Sequence, residues 1–219
     1  MNVQLQERVS AIVVNYQTPD LLDVAVRSFK SFYPQIPLTV IDNGSRDESR
    51  ATIQRLADSL PAIEPVCLDA NLYHGPAMDL GLRGVESPLA YVFDSDTETL
   101  RGGFLEAMAG VLDADDALYG AGHVVHADRR GFARPTGVPV LASAYMMLKT
   151  HIYRSLPPFV HHGLPALANF AAAEHAGYGL ASWPIEEYVK HLGRGTAERY
   201  GYGLGLRAKI DYVLAKLGF

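Results

Sequence analysis

Four short apolar runs, each ending in polar residues and each followed by a loop or a stretch with helical spacing, leave few folds open to this chain. Residues 9–16 are rich in β-branched side chains (Val9, Ile12, Val13, Val14) and free of charge, the composition of a strand buried on both faces. Thr18 then offers a helix N-cap with Pro19 at the first helical position, and Leu22, Val26, Phe29 and Phe32 recur on one helical face. Residues 38–41 form a second run, closed by the turn signal Asp42-Asn43-Gly44. Ser45 can cap the next helix, whose apolar positions are Ile53, Leu56 and Leu60. A third strand is expected at residues 64–68, and a loop with Asn71 and Gly75 leads into a helix at 76–85. The fourth run starts at Leu89 and reaches Asp94. Four strands interleaved with three helices predict an α/β fold with a largely parallel sheet.

The second half is less regular. Residues 104–112 read as a helix, 118–125 and 142–148 as strands, and 129–139 as a loop. An alanine-rich helix at 165–176 has Gly177 as its C-cap, followed by a short strand at 179–183 and a segment at 188–191. Helical periodicity returns at 204–217, where Leu206, Ile210, Val213 and Leu217 share one side. That helix could dock on the domain, pair with a second subunit to give a homodimer, or touch a membrane as a peripheral contact. No repeat, low-complexity tract or linker interrupts the chain, so one domain over residues 1–219 is expected.

Composition narrows the function classes. A net charge of −5 argues against a nucleic-acid partner, which a basic excess would mark. The single cysteine, Cys67, excludes an internal disulfide framework and suits a reducing compartment. Residues 1–8 are polar and lack the apolar core of a signal peptide, and the longest mostly apolar run, 138–148, is too short to span a bilayer. A cytoplasmic location, extending to the inner face of the membrane, is the expectation.

In open α/β sheets, ligands bind at the carboxyl ends of the strands. Polar residues gather at those ends here: Asn15 and Tyr16, residues 42–47, residues 71–75, and residues 94–96. Asp94 and Asp96, two positions apart on an extended backbone, point the same way. Two carboxylates side by side repel unless a cation lies between them, and oxygen ligands of this kind suit Mg2+ or Mn2+ holding a phosphate.

Together these clusters resemble the family 2 glycosyltransferases, inverting enzymes of the GT-A fold. The opening "SAIVVNYQTPDLLDVAVRSF" is similar to that family's first strand and helix, "LTVIDNGSRDES" to its second signature, "NLYHGPAMDLGLRG" to its third loop and helix, and "YVFDSDTE" to its Asp-x-Asp site. Asp79 stands where the family usually has asparagine. The resemblance covers roughly residues 8–100, the nucleotide-binding half, and leaves 101–219 as the acceptor-binding half with a C-terminal loop and helix. It implies a metal-dependent, inverting transfer from a nucleotide-diphosphate sugar, with a UDP- or dTDP-sugar favoured. The enzyme would be a hexosyl- or deoxyhexosyltransferase acting on an unidentified acceptor in glycoconjugate or cell-surface polysaccharide synthesis. On the same reading Asp42 contacts the nucleobase. Asn15, Tyr16, Asn71, Gly75, Asp94 and Ser95 line the donor site. Asp94 and Asp96 hold Mn2+ or Mg2+, with His191 as a further ligand, as a C-terminal histidine is in some similar transferases.

Inverting transfer also needs a base on the acceptor hydroxyl. The acidic pair that the family often carries before its Gly-Tyr helix is missing: "FVHHGLPALANF" contains no acid. His162, its neighbour His161, or Glu98 just past the Asp-x-Asp site are the candidate bases. The glycine- and cation-rich segment "EEYVKHLGRGTAERYGYG" places Lys190, His191, Arg194 and Arg199 where a loop could close over a diphosphate. His123 and His126, with Asp128 nearby, have a spacing that could ligate metal and that also suits edge residues. A phosphatase with an aspartyl nucleophile is excluded, because its motif follows the first strand. The competing reading is a degenerate domain that binds nucleotide-sugar or a partner without turnover, and the missing acid is its support.

Overall fold

A computed structural model describes residues 3–128, 134–160 and 165–193. The chain begins with a short helix α1 (Val3–Arg8) and then alternates: β1 (Val9–Asn15), α2 (Pro19–Phe32), β2 (Leu38–Asp42), α3 (Ser49–Ser59), β3 (Ile63–Cys67), α4 (His74–Gly84) and β4 (Leu89–Asp94). A three-residue strand β5 (Thr97–Thr99) and helix α5 (Phe104–Asp113) follow. Next come β6 (Leu118–Ala127), β7 (Val138–Lys149), α6 (Thr150–Ser155), α7 (Leu167–His175), β8 (Gly179–Ser182) and β9 (Val189–His191). The four strands and three helices expected of the first half are all present. The apolar run expected as a strand at 142–148 is the end of a longer one, β7.

Seven strands form one sheet in the order β3-β2-β1-β4-β7-β6-β8. β3, β2, β1 and β4 are mutually parallel, β7 runs against β4, and β6 and β8 return to the common direction. The chain winds outward from β1 to β3 and then crosses back to place β4 on the other side of β1. The strand order therefore reverses between β1 and β4, and a crevice opens beyond their carboxyl ends.

Both faces of the sheet are covered, which is why its central strands read as continuous apolar runs. Ala11 and Val13 of β1 and Tyr91 and Phe93 of β4 enter one core with Leu22 and Phe29 of α2 and Phe104 of α5. Ile12, Val14, Ala90 and Val92 enter the other with Ala77 and Leu82 of α4 and Phe170 of α7. Phe32, expected on the buried face of α2, sits in its last turn and stays 41% exposed. Ser45 caps no helix: α3 starts at Ser49, and Ser45 serves the turn after β2 instead. Asp79, the unusual residue of the third signature, accepts hydrogen bonds from Tyr153 Oη at 2.5 Å and from Arg83 Nε at 2.9 Å, pinning α4 to α6.

The first turn of α4 passes against the backbone of Val160 at Gly75. A Cβ built there would lie 1.8 Å from the backbone oxygen of Val160, so only glycine lets the segment pass. Gly75→Ala must push backbone aside and should lower stability by ~1–3 kcal/mol. Thermal unfolding of the variant checks this, and an unchanged melting temperature would mean that the close approach does not exist in solution.

Candidate functional site

The reversal between β1 and β4 sets Asn15, at the end of β1, between Asp42 of β2 and Asp94 of β4. Asn15 pairs in register with Asp42, and Val14 with Asp94. Asn15 is fully buried. Its Oδ1 accepts from Thr18 Oγ1 at 2.9 Å, and Thr18 Oγ1 lies 3.1 Å from Ser95 Oγ. The Thr18 hydroxyl, expected to cap α2, is thus spent on joining the end of β1 to the turn after β4, and it makes no cap hydrogen bond.

The second and third signatures are wired together. Asp42 is fully buried, and its Oδ2 accepts from Ser45 N–H at 3.1 Å and from Arg50 Nε at 3.2 Å. Asn43 Nδ2 donates to Asn71 Oδ1 at 3.1 Å, and Asn43 Oδ1 accepts the Leu72 N–H at 2.9 Å. Tyr16 is half-buried, and the N–H of the next residue, Gln17, donates to Ser45 Oγ at 3.0 Å. Asn15 Nδ2 and Asp42 Oδ1 are buried and make no hydrogen bond. Each such atom costs ~1–3 kcal/mol unless something pairs with it, and the two stand at adjacent strand ends.

The turn from Asp94 to Thr97 is closed by Thr97 Oγ1 donating to the Asp94 carbonyl at 2.8 Å. β5 then pairs antiparallel with β9, setting Thr97 opposite His191 and Glu98 opposite Lys190. Leu192 N–H donates to the Asp96 carbonyl at 2.7 Å. This ribbon brings His191 Nε2 to 3.3 Å from Asp96 Oδ1. One ligand atom each from Asp94, Asp96 and His191 lies within 4.8 Å of the others, a set that could hold a metal ion. Two carboxylates and an imidazole suit Mn2+, Mg2+ or a related divalent cation.

His74, which sequence reasoning passed over between Asn71 and Gly75, is the first residue of α4, and its Nε2 lies 3.2 Å from Asp94 Oδ1. Burial alone would lower its pKa, but the charges of Asp94 and Asp96 outweigh that and hold it above the ordinary histidine value. The hydrogen bond to Asp96 raises the pKa of His191, against burial, and the charges of Asp96 and Asp94 add to it. The signal for His74 was its place at a helix start beside the crevice.

Other expected residues fall elsewhere. Glu98 is half-buried on the ribbon and does not join the Asp94, Asp96 and His191 set. His123 pairs with Glu186, His126 is exposed, and neither joins that set. His161, His162, Arg194, Arg199 and the expected helix at 204–217 lie outside the described residues. No helix among the described residues is long and apolar enough to cross a membrane.

The family model described as "Glycosyl transferase family 2" matches residues 10–172. A mannosyltransferase from Pyrobaculum calidifontis, solved with GDP-Man and Mn2+, superposes with a TM-score of 0.66 at 17% identity, over 81% of this chain and 55% of that one. TarS of S. aureus, residues 1–349 in complex with UDP, gives 0.63 at 14% identity over 83% and 59%. The same TarS fragment with UDP-GlcNAc gives 0.60 at 14% over 84% and 60%. The chain thus spans less than two thirds of the length of these structures, and at such identities the likeness shows the fold. A comparison with curated proteins finds no match.

Protonated His191 cannot ligate a cation, so proton and metal compete for it. Because its pKa is raised, the competition persists above the ordinary histidine range, and metal affinity should fall as pH falls through the raised value. Titration of Mn2+ by calorimetry in buffers of different ionisation enthalpy should show proton release on binding, and His191→Ala should reduce that release, leaving the part that His74 supplies. Metal affinity that does not change with pH would remove His191 from the site.

Proposed function

This chain belongs to glycosyl transferase family 2, and we propose that it transfers a sugar, with inversion, from a nucleotide-diphosphate sugar to an acceptor hydroxyl. The observation that carries the proposal is the meeting of Asp94, Asp96 and His191 at the point where strand order reverses. These three residues would hold Mn2+ or Mg2+. Such a cation, when bound, neutralises charge that develops on the departing diphosphate.

The chain's own residues supply the rest. Asp42 keeps one oxygen engaged with Arg50 and Ser45 and the other without a partner. A carboxylate oxygen of that kind accepts an imide N–H, which uracil and thymine carry and cytosine lacks, so a UDP- or dTDP-sugar is the favoured donor. Asn15 and Tyr16 line the nucleoside side of the crevice. Asn71 shapes the loop at the start of α4, where Gly75 allows close approach, and Ser95 ties the metal-binding turn to β1. His74 sits where it can orient Asp94 and face the anionic donor. Arg194, beyond the described residues, would add charge against the diphosphate. Of the bases expected from sequence, Glu98 stands opposite Lys190 on the ribbon, and His162 lies outside the described residues. A hexosyl or deoxyhexosyl group, an acceptor in glycoconjugate or cell-surface polysaccharide synthesis, and cytoplasmic action at or near the inner membrane face complete the proposal. Residues 8–100 would bind donor and 101–219 acceptor.

UDP should bind more tightly with Mn2+ than with chelator, and Asp96→Asn should erase most of that difference. Asp42→Ala should weaken UDP by ~1–3 kcal/mol if its free oxygen takes the base N–H. Calorimetry showing equal UDP affinity with and without metal would remove the metal-bridged donor site, and an unchanged dissociation constant in Asp42→Ala would place that residue outside the base pocket.

A further inference from the structure

An acceptor hydroxyl that forms a glycosidic bond must lose its proton, and the segment before α7 offers no acid to take it. A carboxylate from the segment between β8 and β9, Glu186, instead meets β7, the strand beside β4, and β6. β7 runs beside β4 with Tyr145 opposite Phe93, the residue before Asp94. Tyr145 is 8% exposed and shares its core cluster with Phe93 and Ile185. Its hydroxyl is in hydrogen-bonding contact with Glu186. From β6, at the irregularity where its pairing with β7 shifts between Gly122 and Val124, His123 Nδ1 also contacts Glu186 Oε1.

Glu186 is held in place from below. It lies in a single 3-10 turn (Ile185–Glu187) whose first residue is fully buried. That turn is bracketed by Trp183 and Tyr188, whose ring centroids are 4.8 Å apart. Its neighbour Glu187 is committed to Arg101 at 2.9 Å. The Glu186 side chain itself is 42% exposed, so a ligand oxygen can reach it. Immediately beyond this turn the chain enters β9 and delivers His191 to Asp96, so Glu186 and the metal-binding set are fixed by one continuous segment.

Resting on the transferase reading above, we propose that Glu186, oriented by Tyr145 and His123, is the general base of the transfer. The carboxylate takes the proton of the acceptor hydroxyl as the acceptor oxygen forms its bond to the anomeric carbon. The bond from that carbon to the diphosphate breaks, and its electron pair leaves on the diphosphate oxygen. His123, in contact with the newly protonated Glu186, can pass the proton on to water. Burial, followed by Glu186 and Asp94, pushes the Tyr145 phenol up to about 12, so it stays a hydrogen-bond donor to the carboxylate at neutral pH.

The test uses the full chain with Mn2+ and a panel of UDP-, dTDP- and GDP-sugars, with water as the acceptor and release of nucleoside diphosphate as the readout. Glu186→Gln should keep the melting temperature and bind UDP with Mn2+ within about twofold of wild type. Its turnover should fall ~10²-fold or more, and the acidic limb of the wild-type pH–rate profile should vanish. Glu187→Gln, next door and bonded to Arg101, should keep the wild-type rate. His123 and Tyr145 both face Glu186, so Tyr145→Phe should shift that limb without removing it. A wild-type rate in Glu186→Gln, or a loss that appears instead in Glu98→Gln or His162→Gln, would overturn the proposal while leaving the transferase reading intact. A wild-type chain that binds no UDP with Mn2+ and releases no nucleoside diphosphate from any donor would overturn both.

Discussion

Two carboxylates at the end of one buried strand are the constraint around which this molecule is arranged. Asp96 is 6% exposed, and Asp94 keeps one oxygen buried. Like charges so placed repel more strongly than they would in water. The fold answers by sending an imidazole to each: His74 from the start of α4 to Asp94, and His191 from the far end of the described chain to Asp96. Both histidines are held above their ordinary pKa by that company. A divalent cation would balance the same pair of charges with more force and would displace the proton from His191. Histidine protons and a divalent cation are two solutions to a single electrostatic problem.

Backbone topology makes that arrangement possible. Reversal of strand order beside β1 opens the crevice, and Asn15, Thr18 and Ser95 lace its two lips together through hydroxyl contacts. The antiparallel β5–β9 ribbon then closes a long loop onto the turn after β4. Arg101 lies 4.0 Å from the centroid of the Tyr188 ring, and Leu100 N–H donates to the Tyr188 carbonyl at 2.7 Å, so the ribbon is fastened where it leaves the site. Positions that chemistry needs are thus set by backbone pairing and not by long flexible side chains.

β1, β2 and β4 were legible because their residues are buried on both faces, which leaves continuous β-branched runs that helices cannot mimic, whereas β3 is a largely exposed edge strand. Asp94 and Asp96 were legible because they end such a run. The reversed direction of β7 was not: a strand buried on both faces carries the same apolar signature whichever way it runs. Ser45 and Thr18 misled for one reason. A hydroxyl before a helix reads as a cap, yet both are drawn into contacts with distant strand ends that no local pattern records. His74 and Glu186 were missed because each becomes informative only through a partner far away in sequence, Asp94 for one and Tyr145 with His123 for the other. His191 was found through its glycine-rich, basic surroundings together with the family resemblance, and the ribbon supplies the physical reason for its place.

Anomalous diffraction from crystals grown with Mn2+ and a nucleoside diphosphate tests the central claim most directly. The account predicts one strong manganese peak within ~2–2.5 Å of oxygens of Asp94 and Asp96 and of a nitrogen of His191, with diphosphate oxygens completing its shell. A manganese peak elsewhere in the molecule, with the diphosphate bound away from the ends of β1 and β4, would contradict it.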